Sequence, residues 1–230
     1  MVDNARFVWY TYTDIENIRK EKAMLKYDHF IFDFDGTLSE SYASFVKAAM
    51  ITAEKYGVSL DRERAYHLLK KYSTVHLFNS LDLGEARDTA YAEFIALAKE
   101  LLAAEAEMIE GTVELLEYIA ANGGKSYIYS HSGDIVLKNV KRWGIERFFV
   151  DYMLGDKTYP RKPAPDALLV LVNRHSLDLS RSVMIGDRDI DVLAGRNAGM
   201  AGILIDDENF YPDLEVEHKV KSLIEIKDCI

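Results

Sequence analysis

The stretch His29-Phe30-Ile31-Phe32-Asp33-Phe34-Asp35-Gly36-Thr37 decides the fold. Its first six residues are aromatic and β-branched around one acid, and Asp35-Gly36-Thr37 ends the run abruptly, which predicts a short strand. A near-continuous apolar run suits a strand covered on both faces of a parallel sheet. Three further runs read the same way. Ser126-Tyr127-Ile128-Tyr129 stops at Ser130-His131-Ser132-Gly133. Ser182-Val183-Met184-Ile185 stops at Gly186-Asp187. Ala201-Gly202-Ile203-Leu204-Ile205 stops at Asp206-Asp207. Helical patterns fall between them, over Thr112 to Asn122, Asp134 to Trp143, Asp166 to His175 and Ile190 to Ala198. Alternating strands and helices predict an α/β fold with a parallel sheet. All four strands run into polar or acidic residues, and open α/β sheets bind ligands outside the carboxyl ends of their strands.

One stretch breaks the alternation. Between Ser41 and Met108 no strand is expected. Phe45 to Tyr56, Arg62 to Tyr72 and Glu85 to Ala104 carry apolar residues three and four apart, as helices do. An insert of about 70 residues is too long for a loop. It reads as a small helical domain over the sheet, hinged near Ser39-Glu40-Ser41 and Glu110-Gly111. The expected division is an N-terminal extension over 1–25, an α/β core over 26–40 and 109–230, and a helical cap over 41–108. Trp9, Tyr10 and Tyr12 argue that part of the extension packs.

The 230 residues are 49% hydrophobic and 29% charged, with a formal net charge of −10. This composition excludes a disordered chain. The acidic balance disfavours nucleic acid and anionic membrane surfaces as partners. It leaves room for a small phosphorylated ligand, which depends on local charge. Cys229 is the single cysteine, so a disulfide framework within the chain is excluded, as is a zinc site needing two cysteines. No apolar run reaches the ~18 residues of a membrane span, and the expected location is cytoplasmic. Oligomeric state is open.

Four clusters carry chemistry. Asp33 and Asp35, two apart on a strand end, point to the same side. One carboxylate can attack a phosphoryl or acyl centre while the other trades a proton with the leaving group. Gly36 lets the chain turn away and aim N–H groups at an anion. The alternative is a strand-ending Asx turn with a spare acid. Asp187, Asp189 and Asp191 crowd a second strand end, which is unfavourable without a cation. Oxygen-only ligation suits Mg²⁺, although acids at a helix N-terminus also complement its dipole. Ser130 offers a hydroxyl to a phosphate oxygen, or serves as a helix cap. Lys162, in Arg161-Lys162-Pro163-Ala164-Pro165, is a cation in a stiffened loop, suited to a transferring phosphoryl group.

In order and placement these residues resemble the four motifs of the haloacid dehalogenase superfamily. Asp33-Phe34-Asp35-Gly36-Thr37-Leu38 is similar to the first motif. Tyr127 to Ser130 is similar to the second, Lys162 to the third, and Gly186-Asp187 with Asp191 to the fourth. The resemblance covers about Tyr27 to Ile205. It implies a Rossmann-like parallel sheet with helices on both faces plus an inserted α-helical cap domain. That cap is similar to the one in the subfamily of phosphoglycolate phosphatase and β-phosphoglucomutase. It further implies Asp33 as nucleophile and Asp35 as general acid, then base. Ser130 and Lys162 become phosphate contacts, with Lys162 also holding Asp33. Asp33, Asp187, the Asp35 carbonyl and Asp191 become the Mg²⁺ site.

The implied activity is Mg²⁺-dependent hydrolysis of a small phosphorylated metabolite through an aspartyl-phosphate. A phosphomutase shares every core residue, and a non-catalytic phospholigand sensor is the reading from a different class. Arg188 stands where the subfamily often has a small hydroxyl residue, and either pairs with Asp189 or reaches substrate. Asp189 is expected to face solvent or stand behind the metal ligands. His131 either touches substrate or is merely hydrated, the commoner state of a histidine in a polar strand-end loop. His67, Lys70, Lys71 and His76 could line the inner face of the cap, but their spacing fits a solvated helix face just as well, and they are left out of the site.

Overall fold

The computed structural model describes residues 24–155 and 158–230. Six parallel strands form one sheet in the order β5-β4-β1-β6-β7-β8. They are β1 (His29–Phe32), β4 (Lys125–Ser130), β5 (Phe149–Leu154), β6 (Ser182–Gly186), β7 (Ala201–Ile205) and β8 (His218–Val220). β1 lies in the middle, with Phe32 opposite Ile128 of β4 and Ile185 of β6. The chain builds outward from β1 through β4 to β5, then returns to add β6 on the other flank. This makes a topological switch beside β1, the place where such sheets open a crevice.

The apolar runs exist because both faces are covered. Alternate residues of a strand point to opposite faces. Phe30, Phe32, Ile128, Val183 and Ile185 pack with Leu115 and Ile119 of α5 (Thr112–Ala121) and Val136 and Val140 of α6 (Asp134–Arg142). Ile31, Tyr127, Tyr129 and Met184 face the other way, onto Leu168 and Leu171 of α7 (Asp166–His175) and Ala198 of α8 (Asp189–Ala198). Leu25 joins the first cluster. The expected packing of Trp9, Tyr10 and Tyr12 lies outside the described residues.

The inserted segment is α1 (Tyr42–Lys55), α2 (Arg62–Lys71), α3 (Thr74–Asn79) and α4 (Arg87–Glu105). It has its own core, in which Val46, Ala49, Leu69, Leu77, Phe78 and Phe94 meet. Two pairs of residues join it to the sheet domain. β2 (Ser39–Glu40) lies antiparallel to β3 (Glu107–Met108), with Ser39 opposite Met108. β3 corrects the expectation of a strand-free stretch to Met108. Two residues that cross a hinge are too few for periodicity to mark. The short α3 was also unforeseen, as were β5 and β8. β8 has one apolar residue in three, and Asp151 interrupts the apolar run of β5. Among the described residues no helix is long and apolar enough to cross a membrane.

Candidate active site

Asp33 is the first residue beyond β1, and its N–H still donates to the Ile185 carbonyl at 2.8 Å. The backbone then turns at Gly36, which has a φ of +82°. A Cβ there would sit 2.5 Å from both Asp187 Oδ2 and the Tyr42 ring, so only glycine fits the turn. Gly186 ends β6 under a similar constraint, since a Cβ would lie 2.3 Å from Asp191 Cβ. The two glycines let the β1 turn and the start of α8 close on one another. Carboxylate oxygens of Asp33, Asp187 and Asp191 consequently lie within 4.8 Å of one another, all three side chains buried.

The lysine loop is threaded into this cluster. Lys162 Nζ donates to Asp33 Oδ1 at 2.6 Å, Asp191 Oδ1 at 2.8 Å and the Tyr129 carbonyl at 2.8 Å. All three ammonium protons are thereby used. Neighbouring Asp191 and Asp33 hold the Lys162 pKa above its ordinary value despite burial, so it is a cation. Asp191 Oδ2 accepts the Arg188 N–H at 3.1 Å, so both its oxygens are engaged, one on the lysine and one on the start of α8.

Asp187 is enclosed differently. Oδ1 accepts from Thr37 Oγ1 at 3.3 Å. Oδ2 accepts from Tyr42 Oη at 2.8 Å and Lys70 Nζ at 2.7 Å. Tyr42 and Lys70 belong to α1 and α2, so the helical insert reaches into the acidic cluster. Asp35 accepts from Ser132 Oγ. Burial pushes its carboxyl pKa up, against the help of the Ser132 and Ser41 hydroxyls. Burial also raises Asp33 well above the usual carboxylate range. Lys162 opposes that rise, and Asp191 and Asp187 add to it. Burial raises Asp191 as well. Four carboxylates, Asp33, Asp35, Asp187 and Asp191, thus share two buried ammonium groups, those of Lys70 and Lys162. With oxygen-only donors, that is the environment a divalent cation such as Mg²⁺ suits.

Ser130 ends β4, and its Oγ accepts the Ser132 N–H at 3.0 Å. It is not a helix cap, since the N-cap of α6 is Gly133, three residues later. Hydration was the commoner expectation for His131, but its Nε2 accepts the Lys162 N–H at 2.9 Å. Burial and the cations Lys162, Arg161 and Arg188 push its pKa down to about 3. The unfolded chain then binds this proton more readily, so the neutral ring's contribution is present above about pH 6.5 and is lost as pH falls toward 3. Between pH 7 and 4 it should account for on the order of 2–3 kcal/mol of lost stability. His131→Gln should flatten the fall in thermal midpoint over that range. An unchanged slope would show that the ring is not the titrating group.

Arg188 reaches neither Asp189 nor the acidic cluster with its tip. Its Nη2 donates to the Tyr72 carbonyl at the end of α2. Asp189 Oδ1 accepts the Ile190 N–H at 2.8 Å and stays outside the cluster. Sequence reasoning missed Tyr42, Ser132 and above all Lys70. Lys70 was left out of the site because a solvated helix face fitted its spacing as well as the cap's inner face, yet its side chain is only 6% exposed. The available signal was weak. Lys70 stands one position past the buried stripe of Ala65 and Leu69 and four past Tyr66, and spacing alone does not say which edge of α2 meets the sheet domain.

The phosphoglycolate phosphatase of Agrobacterium fabrum is 26% identical over 181 residues, 75% of this chain and 78% of that protein. The pyrophosphatase PpaX of Bacillus pumilus is 27% identical over 172 residues, 74% of this chain and 78% of that protein. A haloacid dehalogenase-like family hydrolase from Streptococcus pneumoniae shares the fold, with a TM-score of 0.80 at 19% identity over 89% of this chain and 98% of that one. A family model described as haloacid dehalogenase-like hydrolase matches residues 30–205, from within β1 to the end of β7. This chain is therefore an enzyme of the haloacid dehalogenase-like hydrolase family.

Proposed function

We propose that the protein is a Mg²⁺-dependent phosphatase that hydrolyses a small phosphorylated metabolite through an aspartyl-phosphate on Asp33. The observation that carries this reading is the gathering of Asp33, Asp187 and Asp191 within 4.8 Å of one another at the carboxyl ends of β1 and β6, with the Lys162 ammonium bridging Asp33 to Asp191. Phosphoryl transfer needs positioning and charge stabilisation more than anything else.

Asp33 Oδ2, the oxygen not held by Lys162, is the attacking atom. Lys162 fixes the other oxygen and adds positive charge where the transferring group gathers negative charge. Ser130 Oγ, freed to turn, donates to a phosphoryl oxygen. Burial raises the Asp35 pKa, which suits this carboxyl to give a proton to the leaving oxygen. It then takes one from the water that cleaves the acyl phosphate. The Asp33 and Asp187 carboxylates and the Asp35 carbonyl would hold Mg²⁺. Asp191 stands behind them as the anchor of Lys162. When bound, the ion neutralises the carboxylates and the phosphoryl oxygens together. The helical insert acts as the cap that excludes bulk water.

The relatives named phosphoglycolate phosphatase and pyrophosphatase make phosphoglycolate and pyrophosphate the first substrates to try. A phosphate-release screen over small phosphorylated metabolites, run with Mg²⁺ and with excess chelator, tests the reading. Release should occur in Mg²⁺ and fall to background with chelator. Full turnover in chelator would remove the metal from the mechanism. Conversion of a sugar phosphate to its isomer without phosphate release would make the protein a mutase.

A further inference from the structure

The cap places a cation where the proposed reading needs a metal. Lys70 Nζ lies 2.7 Å from Asp187 Oδ2, with the lysine side chain 6% exposed and the aspartate 0%. Among the described residues this is the only ion pair Lys70 makes. The ammonium also sits 5.1 Å from the centre of the Tyr42 ring, whose hydroxyl donates to the same oxygen. α2 is moored on the sheet domain around this contact. Tyr211 Oη donates to the Lys70 carbonyl at 3.1 Å, Lys71 Nζ to the Phe210 carbonyl at 2.5 Å and Tyr66 Oη to Glu208 Oε1 at 2.6 Å. These ties hold α2 against the sheet domain, so Lys70 remains on the helix face turned to the site whatever its side chain pairs with.

A divalent cation on Asp187 and an ammonium on the same carboxylate oxygen repel one another at short range. If the ion takes Asp187, Lys70 becomes a buried cation without a partner, which is strongly unfavourable. It then needs another anion close by. A second observation points to the same lack. Arg188 adjoins Asp187 in sequence, and its Nε is buried with no hydrogen-bond partner among the described residues. Two cations, one from the cap and one from the start of α8, thus flank Asp187 with donor capacity to spare once a metal is bound. The transferring phosphoryl group already has Lys162 and Ser130.

We propose that Lys70 is the specificity-determining residue of the cap. It stands in for the metal at Asp187 when none is bound and, displaced by a divalent cation, selects substrates that carry a second anionic group beyond the transferred phosphoryl. This rests on the reading of the site as a metal-dependent phosphatase. The chemical class it selects is a phosphorylated carboxylic acid or a pyrophosphate, as opposed to a neutral phosphate ester. Lys70 and Arg188 would meet the carboxylate or the second phosphate.

Two measurements decide it. The first is calorimetric titration with Mg²⁺ alone, without substrate, on the full chain and on Lys70→Met and Lys70→Gln. Removing the competing ammonium should tighten Mg²⁺ binding by at least about 5-fold. It should also raise the thermal midpoint gained on adding Mg²⁺, because Asp187 is otherwise left buried and unpaired. Equal or weaker binding in both variants overturns the proposal, whatever the turnover. Two variants guard against one that folds poorly, and circular dichroism in Mg²⁺ confirms the fold of each.

The second is the ratio of kcat/KM for phosphoglycolate to that for ethyl phosphate, in Mg²⁺. It should fall about 10- to 100-fold in Lys70→Met, the usual worth of a hydrogen bond to a charged group. Lys70→Arg should recover much of it. A ratio that stays put overturns the proposal even if metal binding tightens. Failure of the wild-type chain to release phosphate from any substrate would instead sink the phosphatase reading, and the titration would still decide whether Lys70 competes for Asp187.

Discussion

Asp33→Asn should abolish phosphoenzyme formation and lower turnover by at least about 10⁴-fold, the scale of loss when a nucleophile is removed. The substitution nearly keeps size and leaves an oxygen facing Lys162, so the fold should survive. Asp35→Asn should behave differently. Its carboxyl accepts from Ser132 and, at its raised pKa, serves the leaving group and then the water. An aryl phosphate leaves with little protonation, so the first step should persist on such a substrate. Cleavage of the acyl phosphate should slow by about 10²–10⁴-fold. Phosphoenzyme should then accumulate in Asp35→Asn and be absent in Asp33→Asn. Quenching both variants with labelled aryl phosphate and counting hydroxylamine-labile label checks this. Label retained by Asp33→Asn would place the nucleophile elsewhere.

Lys162→Met should be the most destabilising single change in the site. Its ammonium is bound by Asp33, Asp191 and the Tyr129 carbonyl, with the side chain 1% exposed. Removing it leaves two buried carboxylates uncompensated and one carbonyl unpaired. Losing one partner of a buried pair costs about 3–5 kcal/mol, and here one deletion breaks two pairs. Protonation of the carboxylates would relieve part of that cost, so the loss should be largest at high pH and shrink as pH falls. Urea denaturation at two pH values measures it. A loss below about 1 kcal/mol at neutral pH would mean that water replaces the ammonium and that the cluster is wetter than its burial indicates. Activity should fall by at least about 10²-fold in the same variant, because the charge facing the transferring group is gone.

Much of this protein was legible in its sequence, for reasons that are local. Strands covered on both faces must be apolar almost throughout, so His29 to Phe32, Ser182 to Ile185 and Ala201 to Ile205 announced themselves. Their shared habit of ending in acids, serine or glycine marked the edge of the sheet where Asp33, Asp187 and Asp191 gather. The spacing of Asp33 and Asp35 on one strand end, and of Asp187 and Asp191 across one helical turn, needs no long-range information. Short elements were invisible. β2 and β3 have two residues each, and α3 makes fewer than two turns although its Leu77 and Phe78 are fully buried.

What only the tertiary structure decided was how the pieces share charge. Nothing in the sequence says that Lys162 bridges Asp33 to Asp191, or that both oxygens of Asp191 are already engaged. His131 reads as a polar loop residue, and it becomes a neutral acceptor only because the Lys162 backbone folds against it. Lys70 is the clearest case. Its place on α2 follows from the 3.6-residue period, but its burial against Asp187 depends on which edge of that helix faces the sheet. Helical periodicity fixes angles around one axis and is silent about the angle between two bodies. That second angle is set by contacts more than a hundred residues apart in the chain, such as Tyr66 with Glu208 and Tyr211 with the Lys70 carbonyl.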